Sequence, residues 1–523
     1  MKDLILAVDC GTQSLKSALI DQEGRFVRMN QSSYPDFISP SPGYFEQKPE
    51  VYYETLIKSI DMLDLQVKDM AERIAGVVIT TMRDTLVVLD ELGNPLRNAI
   101  IWMDNRKAFP PYKPNFIIKT GAKIIGMHEV LQKVQMDGKT NWIMQNEPEL
   151  WEKTEHILLL SGYLNYRLCG VFTDSTASQV GHIPFNYKKQ RWSKSGERNL
   201  EMFPVPENTL PKLVFPSEKI GEITAKASKE TGIPFSTPVY AAASDKGCET
   251  LALSVHGRKN ASMSLGTTAT VQTTTHRYVE IEKFMPSYPA AIPGYFNPEV
   301  EIFRGFWMIS WFKKEFGHPE INASEVSNIR IEEALDAHLE NIPAGSMGLM
   351  MLPFWRPPLL EPSAKGAFLG FGEVHDRRYL YRAIVEGISY GLRHGLEKIQ
   401  KKTGNNDFIA VAGGGSRSHR VCSILGDICG MPIKMPENHE LSLLGAAICG
   451  FVGASIHTDY NAAVDSMVRF SDTLDPDYVI HEQYSEYFNE VYLKAVKTLL
   501  PLSESIRKIS NYPEVISKNN SDE

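Results

Sequence analysis

The chain lacks the features that mark membrane proteins, disulfide-stapled proteins and nucleic-acid-binding proteins. No apolar run reaches the length of a membrane span. The six cysteines are scattered, without a Cys-x-x-Cys motif, so neither a disulfide framework nor a zinc site is indicated. The formal net charge of -8 provides no basic surface for nucleic acid. We therefore expect a reduced, cytoplasmic protein without a signal peptide and without a membrane or nucleic-acid partner.

The length and the mixture of patterns indicate a multidomain α/β protein. A chain of 523 residues is too long for one hydrophobic core. Residues 4–21 (LILAVDCGTQSLKSALID) predict two strands around a Gly-Thr turn, and residues 260–275 (NASMSLGTTATVQTTT) repeat that pattern. We predict an N-terminal domain over residues 1–245, a C-terminal domain over residues 246–500 and a polar tail over residues 501–523.

Hydrophobic periodicity predicts further strands and helices in both halves. These are a strand at Arg25–Met29, a long helix from Val51 that runs into a buried strand at Gly76–Thr80, a hairpin that turns at Gly93-Asn94, helical structure over residues 140–170, a long helix over residues 377–404, a strand at Phe408–Ala412, and helices over residues 418–430 and 441–452.

The turn between the first two strands has the composition of a phosphate-binding loop. Gly11 lets a phosphate approach the backbone closely, and Thr12 and Ser14 supply hydroxyl donors. Lys16 adds a positive charge. Asp9 would repel phosphate unless a cation lay between them, so we expect it to hold nucleotide-bound Mg²⁺, directly or through water. The alternative is an ordinary hairpin in which Asp9 caps its own turn.

Two further glycine turns lie in the second half. Gly266, Thr267 and Thr268 form a second Gly-Thr turn, which we interpret as another wall of one phosphate site. The stretch GGGSRS (413–418) ends a strand and opens a helix, which exposes backbone to a flat or anionic ligand. It also nearly meets the dinucleotide-binding fingerprint, although Ser418 replaces the third glycine. A nucleotide-linked dehydrogenase therefore stays an alternative.

The stretch VYAAASDKGCETLAL (239–253) supplies a candidate general base. Small residues precede Asp245, which opens a predicted helix. A carboxylate there takes the proton of a sugar hydroxyl as the hydroxyl attacks a phosphorus atom. Lys246 and the helix N-terminus favour its ionised form. The alternative is that Asp245 or Ser244 is a plain helix N-cap.

Charged residues beside an aromatic ring suggest a polyol site. Arg83 and Asp84 follow a buried strand, and Trp102, Asp104 and Arg106 follow another. Alternating donors and acceptors next to an aromatic face suit a ligand with hydroxyls on one side and C–H groups on the other. The alternative is a surface ion pair and a partly buried tryptophan.

Together, and in this order, these stretches resemble the FGGY family of carbohydrate kinases. The resemblance covers residues 4–453 and includes GYFEQKPEVYY, NAIIWMDNR, SLGTT, GLMMLPFW, KGAFLGF, AIVEGISYGL, AGGGSRS and LSLLGAA. It implies two actin-like (ribonuclease H-like) ATPase domains with a central cleft. It also implies transfer of the γ-phosphoryl group of ATP, with Mg²⁺, to a primary hydroxyl of a small sugar or polyol.

The resemblance implies a role for each matching residue. Asp245 resembles the catalytic base, and Asp9 resembles the Mg²⁺ site. The residues that resemble ATP-binding positions are Gly11, Thr12, Gln13, Lys16, Gly266, Thr267, Thr268, Gly414, Gly415 and Ser418. The residues that resemble substrate-binding positions are Arg83, Asp84, Trp102, Asp104 and Asp245.

The sequence leaves the acceptor open. Xylulose kinases of this family usually have Gln-Met-His near the position of Arg83, and glycerol kinases have an Arg-Glu pair, where this chain has Arg83 and Asp84. A xylulose-like ketose is our first expectation, with glycerol or another polyol as the alternative. An actin-like ATPase or sugar-sensing module without transferase activity is the alternative of another class. The oligomeric state is also open, a homodimer included.

Overall fold

The computed structural model describes residues 2–112, 128–282, 285–358 and 360–510. Packing divides the chain into two compact units, each assembled from three segments. The first unit consists of Met1–His256, Thr275–Asn297 and Glu440–Val468, and the second of Gly257–Thr274, Pro298–His439 and Arg469–Glu523. The domain boundary after Asp245, which assumed continuous domains, stays a prediction.

The described residues contain the following elements. The strands are β1 (Leu4–Cys10), β2 (Ser14–Asp21), β3 (Phe26–Ser33), β4 (Glu46–Gln47), β5 (Ile74–Thr81), β6 (Leu86–Leu89), β7 (Ala99–Ile100), β8 (His156–Leu159), β9 (Thr173–Ser175), β10 (Phe185–Asn186), β11 (Arg191–Trp192), β12 (Lys212–Val214), β13 (Lys219–Glu222), β14 (Pro238–Ala241), β15 (Asn260–Leu265), β16 (Ala269–Thr273), β17 (Tyr288–Pro289), β18 (Phe296–Asn297), β19 (Glu299–Ile302), β20 (Met350–Leu352), β21 (Ala367–Leu369), β22 (Phe408–Ala412), β23 (Ile433–Pro436) and β24 (Phe470–Leu474). The helices are α1 (Pro49–Asp61), α2 (Met70–Arg73), α3 (His128–Met136), α4 (Lys139–Asn146), α5 (Pro148–Trp151), α6 (Leu160–Cys169), α7 (Arg198–Met202), α8 (Ala225–Thr231), α9 (Asp245–Leu251), α10 (Trp307–Phe316), α11 (His318–Ser327), α12 (Ile331–Asn341), α13 (Arg377–Thr403), α14 (His419–Cys429), α15 (Leu441–Gly453), α16 (Tyr460–Met467), α17 (Tyr478–Glu486) and α18 (Leu493–Ser510). None of these helices has both the length and the apolar character needed to cross a bilayer.

The main sheet of the first unit has the strand order β13-β14-β5-β1-β2-β3. The antiparallel meander β1-β2-β3 confirms the sequence prediction. β5 and β14 continue the sheet on the other side of β1 and run parallel to it. Cys10 pairs with Thr81, and Ile79 pairs with Ala241, so the carboxyl ends of the three parallel strands share one edge. Ligands of α/β sheets usually bind at such an edge.

The main sheet of the second unit, β19-β16-β15-β22-β23-β24, repeats this arrangement. β15 and β16 are antiparallel around residues 266–268, while β22 and β23 run parallel to β15. Ser264 pairs with Ala412, so the second Gly-Thr turn and the glycines after residue 412 follow neighbouring strand ends. The repeated α/β pattern predicted from the sequence is confirmed.

Glycines allow the long helix α13 to lie close to this second sheet. Gly387, Gly391 and Gly395 recur every four residues and therefore share one helix face. A Cβ at Gly391 would lie 2.6 Å from Ile302 Cδ1, and a Cβ at Gly395 would lie 2.8 Å from Val271 Cγ1. A larger residue at either position would push the helix away from β16 and β19.

Helix α15 covers the sheet of the first unit in a similar way. A Cβ at Gly450 would approach Ile5 Cγ2 to 2.8 Å and Val78 Cγ1 to 2.9 Å. A Cβ at Gly445 would lie only 1.9 Å from the carbonyl oxygen of Cys248, in α9. Helix α15 thus packs both on the sheet and on the helix that begins with Asp245.

Two element predictions need correction. α1 ends at Asp61, and Asp64 has a φ of 52°, so no single helix runs from residue 51 to β5. Residues 140–170 are not helical throughout, because β8 lies between α5 and α6. Leu86 of β6 pairs with Leu159 of β8, and this sheet contact outweighs the local helical spacing. The predicted strands at residues 76–80 and 408–412 are confirmed.

Candidate active site

The first Gly-Thr turn is a closed loop between β1 and β2. The Gly11 N–H donates to the Ser14 carbonyl at 3.1 Å, and a Cβ at Gly11 would lie 3.3 Å from that oxygen. The exposed Gln13 accepts a hydrogen bond on its carbonyl from Tyr34 at 3.2 Å. Lys16 Nζ lies 2.5 Å from Oε2 of Glu440, the residue just before α15. The turn is therefore fixed by backbone and side-chain contacts within the first unit.

Asp9 near the end of β1 has an unsatisfied carboxylate oxygen. Its Oδ1 is buried and has no hydrogen-bond partner among the described residues. Burial and the nearby carboxylates of Asp245, Glu440 and Glu249 raise the pKa of Asp9 to about 7, against the opposing charge of Lys16. A cation beside Asp9 would offset this cost. The carboxylate therefore fits a hard divalent cation such as Mg²⁺.

The protein offers such a cation few further ligands. Within the described ranges, no group of three acidic, histidine or cysteine side chains has the arrangement of a metal site. Mg²⁺ commonly keeps several waters and binds through one or two carboxylates together with substrate phosphates. Asp9 matches that mode better than a site made entirely of protein ligands.

Asp245 is the first residue of α9 and follows the carboxyl end of β14. Ser244 is the N-cap of this helix, with its Oγ accepting from the Gly247 N–H at 3.4 Å. Asp245 Oδ1 accepts from the Lys246 N–H at 2.7 Å. Burial raises the pKa of Asp245, while Arg83 and Lys246 oppose that rise. The capping role thus belongs to Ser244, and the Asp245 carboxylate is held next to two cations.

Arg83, just past β5, lies beside this carboxylate. Its Nε is 3.9 Å from Asp245 Oδ1 and 3.4 Å from Ser244 Oγ. Its guanidinium lies over the ring of Tyr288, 4.9 Å from the centroid. The structure therefore brings together Arg83 and Asp245, which the sequence singled out, and adds an aromatic residue of β17.

Asp84 is the centre of a charged cluster. Its Oδ2 lies 2.6 Å from Lys139 Nζ and 3.0 Å from His182 Nδ1. Its φ is 49°, and a Cβ at Gly181 would lie 2.4 Å from Oδ1, so the neighbouring loop leaves room for the carboxylate. Burial opposes ionisation, but Lys139 and His182 outweigh it and hold the pKa of Asp84 below its ordinary range. Contact between Asp84 and a substrate stays a prediction.

Trp102 and Asp104 face different surroundings. Trp102 is 41% exposed, and its Nε1 donates to Thr12 Oγ1 of the first turn at 3.0 Å. Asp104 is buried, accepts from the Phe45 N–H at 2.7 Å and pairs with Arg106 Nε at 2.7 Å. This geometry favours the ion-pair alternative for Asp104 and leaves the Trp102 ring accessible to a ligand.

The second Gly-Thr turn is tied to the segment before α10. The Phe306 N–H donates to the Gly266 carbonyl at 3.0 Å, and Thr268 Oγ1 donates to the Phe303 carbonyl at 3.3 Å. A Cβ at Gly305, between them, would lie 2.4 Å from the Cβ of Ala269. The turn and the segment 303–306 therefore form one packed structure in the second unit.

The three glycines after β22 differ in backbone conformation and in the space around them. Gly413 has a φ of 81°, which favours glycine. A Cβ at Gly415 would lie 2.7 Å from the ring of Phe306, whereas a Cβ at Gly414 would meet no described atom within 4 Å. Ser418 is the N-cap of α14. Of the three glycines, Gly414 is thus the one whose backbone is open to a ligand.

Sequence reasoning missed Lys139, His182 and Tyr288. Each lies far along the chain from the residue it contacts, and none belongs to a motif with a recognisable spacing. No local signal in the sequence marks these three positions, because their contacts depend on the tertiary fold.

Two family models match most of the chain. The model described as the FGGY family of carbohydrate kinases, N-terminal domain, matches residues 4–252. The model described as the FGGY family of carbohydrate kinases, C-terminal domain, matches residues 261–454.

Individual proteins resemble the chain over nearly its whole length. A xylulose kinase of Staphylococcus epidermidis is 25% identical over 518 residues, which is 98% of this chain and 100% of the relative. A solved gluconate kinase from Lactobacillus acidophilus has a TM-score of 0.80 at 20% identity and covers 96% of this chain and 99% of its own. A solved xylulose kinase from Rhodospirillum rubrum has a TM-score of 0.81 at 21% identity and covers 96% of this chain and 100% of its own. The two structural likenesses establish the fold alone.

Proposed function

Since the chain belongs to the FGGY family of carbohydrate kinases, we propose that it phosphorylates a primary hydroxyl of a small sugar or polyol. As a member of that family it is an ATP-using phosphotransferase with an alcohol group as acceptor. The observation that carries the finer proposal is the placement of Asp245 at the start of α9, 3.9 Å from Arg83 and close enough to Asp9 to raise its pKa.

Asp245 acts as the general base in this proposal. Its carboxylate takes the proton of the acceptor hydroxyl while the hydroxyl oxygen bonds to the γ-phosphorus. The bond between that phosphorus and the oxygen bridging to the β-phosphorus breaks, which leaves ADP. Arg83 and Lys246 oppose the effect of burial on the pKa of Asp245 and so favour the form that accepts a proton.

Asp9 is the residue proposed to hold Mg²⁺. When bound, the ion neutralises negative charge on the phosphate oxygens. The buried, unpartnered Oδ1 of Asp9 supports this assignment. Lys16 lies opposite Asp9 in the β1-β2 register and is positioned by Glu440.

In the second unit, we assign nucleotide binding to the Gly266–Thr268 turn and to Gly414. The turn is held by Phe306, and the Gly414 backbone leaves open space. Both follow neighbouring parallel strands of one sheet, β15 and β22. These features support the assignment on the side of the nucleotide.

A neutral ketose or polyol is the acceptor class proposed here, with a xylulose-like ketose first. The family likeness to proteins named xylulose kinase supports this choice. Three cations of the candidate site also have carboxylate partners. The pairs are Lys139 with Asp84 at 2.6 Å, Lys246 with Glu249 at 3.0 Å, and Arg83 with Asp245 at 3.9 Å. This balance of charge favours hydroxyl groups over an acidic acceptor.

The substitution Asp245→Asn tests the role of the base. We expect turnover to fall by about 10²–10⁴-fold, because a positioned general base contributes that much. Nucleotide affinity, measured by calorimetry, should change by less than about twofold, because the lost carboxylate acts on the sugar hydroxyl and not on the nucleotide. Asp459→Asn is the matched control, because the Asp459 side chain caps α16 by accepting from the Ala462 N–H at 2.9 Å. Near-normal turnover in Asp245→Asn would contradict the proposal.

A panel of acceptors identifies the substrate. The protein is incubated with ATP, Mg²⁺ and ketopentoses, ketohexoses, glycerol, longer polyols or aldonates, and sugar phosphates are detected by phosphorus NMR. We expect the highest kcat/KM with a xylulose-like ketose. A preference for an aldonate would contradict the charge argument, and ATP loss without any sugar phosphate would favour an ATPase or sugar-sensing module.

A further inference from the structure

Two arginines of the second unit lie beside one short aromatic segment. Arg304 follows β19, and its Cζ is 4.8 Å from the ring centroid of Trp307. Arg356 follows β20, and its Cζ is 5.3 Å from the ring centroid of Phe303. Because Phe303 directly precedes Arg304, the two guanidiniums approach the same segment from different strands.

The two side chains repel each other electrostatically. Partial burial and the charge of Arg356 lower the pKa of Arg304. Among the described residues, no carboxylate forms an ion pair with either guanidinium. Arginine stays protonated at neutral pH, so this location concentrates positive charge on a half-buried surface. An anion between or beside the two guanidiniums would offset the repulsion.

This pair adjoins the second Gly-Thr turn. Thr268 Oγ1 donates to the Phe303 carbonyl at 3.3 Å, and the Phe306 N–H donates to the Gly266 carbonyl at 3.0 Å. Arg304 therefore sits within a segment that is hydrogen-bonded to the turn at both ends. Strand pairing adds to this, since Ala269, directly after the turn, pairs with Ile302 in β19.

We propose that Arg304 and Arg356 bind the phosphate chain of the nucleotide next to the Gly266–Thr268 turn. The inference rests on the proposed function in one respect, the assignment of that turn to nucleotide phosphates. Guanidinium groups match phosphate oxygens because their planar N–H donors form paired, charge-assisted hydrogen bonds. Stacking on Trp307 and Phe303 restrains both side chains before the ligand arrives, which reduces the entropy lost on binding.

Two solvated surface arginines are the simpler interpretation. Against it, Arg304 is half-buried, and most surface arginines of this unit pair with a carboxylate, as Arg420 does with Glu340 at 2.6 Å. Bringing two unneutralised guanidiniums together without a ligand costs electrostatic energy. The two interpretations differ in what removal of one arginine does to anion binding.

The test uses Arg304→Gln and Arg356→Gln in the full-length protein. Calorimetry measures the affinity for ADP, for a non-hydrolysable ATP analogue and for inorganic tripolyphosphate. We expect each substitution to weaken all three by about 10–100-fold, in line with the loss of a charge-assisted pair of hydrogen bonds. Arg356→Lys should recover part of the affinity, since the charge returns without the planar donors. Affinities within twofold of the original protein in both Gln variants would overturn the proposal.

The controls separate folding from binding. Arg420→Gln removes an arginine that pairs with Glu340 in the same unit, and its nucleotide affinity should not change. Arg356 is exposed, so its variant is expected to fold even if the half-buried Arg304 contributes to packing. Thermal unfolding of each variant checks this.

Different results would contradict this inference and the proposed function. If tripolyphosphate binds through the arginines but no sugar is phosphorylated, the inference holds and the proposed function is wrong. If a sugar is phosphorylated with an unchanged KM for ATP in both Gln variants, the proposed function holds and the inference is wrong.

Discussion

Lys139 and Asp84 form a largely buried ion pair at the start of α4. The substitution Lys139→Met leaves the Asp84 carboxylate beside the His182 ring, whose Nδ1 lies 3.0 Å away. We expect a loss of about 3–5 kcal/mol in the free energy of unfolding, because breaking such a pair strands a charge away from water. Urea denaturation measures this loss. The double variant Asp84→Asn with Lys139→Met is the control and should recover much of it, while an unchanged single variant would contradict the ion pair's role.

Asp174 is a buried acid that connects to the active-site helix. Its oxygens accept from Ser161 and Gln179, both at 2.7 Å, and the following segment offers the Ala177 carbonyl to the Ser244 N–H at 3.1 Å. Burial raises the pKa of Asp174 to about 6, although its hydrogen bonds oppose the rise. The folded state therefore holds this proton more tightly than the unfolded chain does.

A raised carboxyl pKa has a definite sign for stability. Between about pH 4 and pH 6 the unfolded chain releases the Asp174 proton first, so the free energy of unfolding falls as pH rises through that window. Relative to Asp174→Asn, the original protein should lose about 2–3 kcal/mol between pH 4 and pH 7 by denaturant unfolding. Asp90→Asn is the control, because hydrogen bonds from Asn94 lower the pKa of Asp90 and give no loss in that window. A flat difference for Asp174 would show that burial does not destabilise its ionised carboxylate.

Some residues of the candidate site were predictable, and others were not. Asp9 lies near the end of a buried strand, Arg83 and Asp245 follow buried strands, and the structure places Arg83 beside Asp245. Lys139 and His182 reach Asp84 only through the tertiary fold, so no spacing in the sequence indicates them. Sequence spacing reports local chain geometry, but it does not report contacts between distant segments of the chain.

At the scale of elements, the crossing of α15 over α9 determines where Asp245 lies. Gly445 leaves no room for a methyl group, since a Cβ there would come 1.9 Å from the Cys248 carbonyl oxygen. We expect Gly445→Ala to lower the free energy of unfolding by about 1–3 kcal/mol and to reduce kcat about tenfold or more, because α9 must shift. Denaturation and the kinase assay measure the two effects.

A matched glycine provides the control for that crossing. A Cβ at Gly372 would lie 3.7 Å from His375 Nδ1, an ordinary contact, so Gly372→Ala should change stability by less than about 0.5 kcal/mol. If Gly445→Ala behaved like Gly372→Ala, the close packing of α15 on α9 would not control the position of the base.

Helices and strands were predicted well where burial and periodicity agree. The long helix α13, the strand β22 and the helix α15 fall close to their predicted bounds. The prediction was wrong at β8, because its four residues have no alternating pattern and become a strand by pairing with β6. It was also wrong after Asp61, where a left-handed turn at Asp64 ends the helix despite continuing apolar spacing.

For the whole molecule, the first unit depends on a segment that is distant in sequence. Residues 440–468 contribute α15, which covers Ile5 and Val78 of the sheet. We expect a fragment of residues 1–256 to lack cooperative unfolding and to bind a hydrophobic dye, since this face of its sheet is uncovered. Joining residues 440–468 to that fragment by a flexible linker should restore a cooperative transition in calorimetry. Cooperative unfolding of the bare fragment would contradict the role of α15.

The repeated sheet topology was visible in the sequence, but the interleaving of the two units was not. Each half begins with a strand, a Gly-Thr turn and a second strand. No sequence pattern indicates that residues 440–468 pack in the first unit, because a helix rich in small apolar residues suits either sheet.

The late position of residues 440–468 in the sequence has a consequence for folding during translation. The sheet of the first unit emerges early, but its covering helix is translated only after roughly 200 further residues, a delay of about 10–40 s at bacterial-to-eukaryotic elongation rates. During this interval an apolar face of the nascent chain is exposed to the cell. Until translation passes Val468, that face is open to aggregation or to chaperone binding.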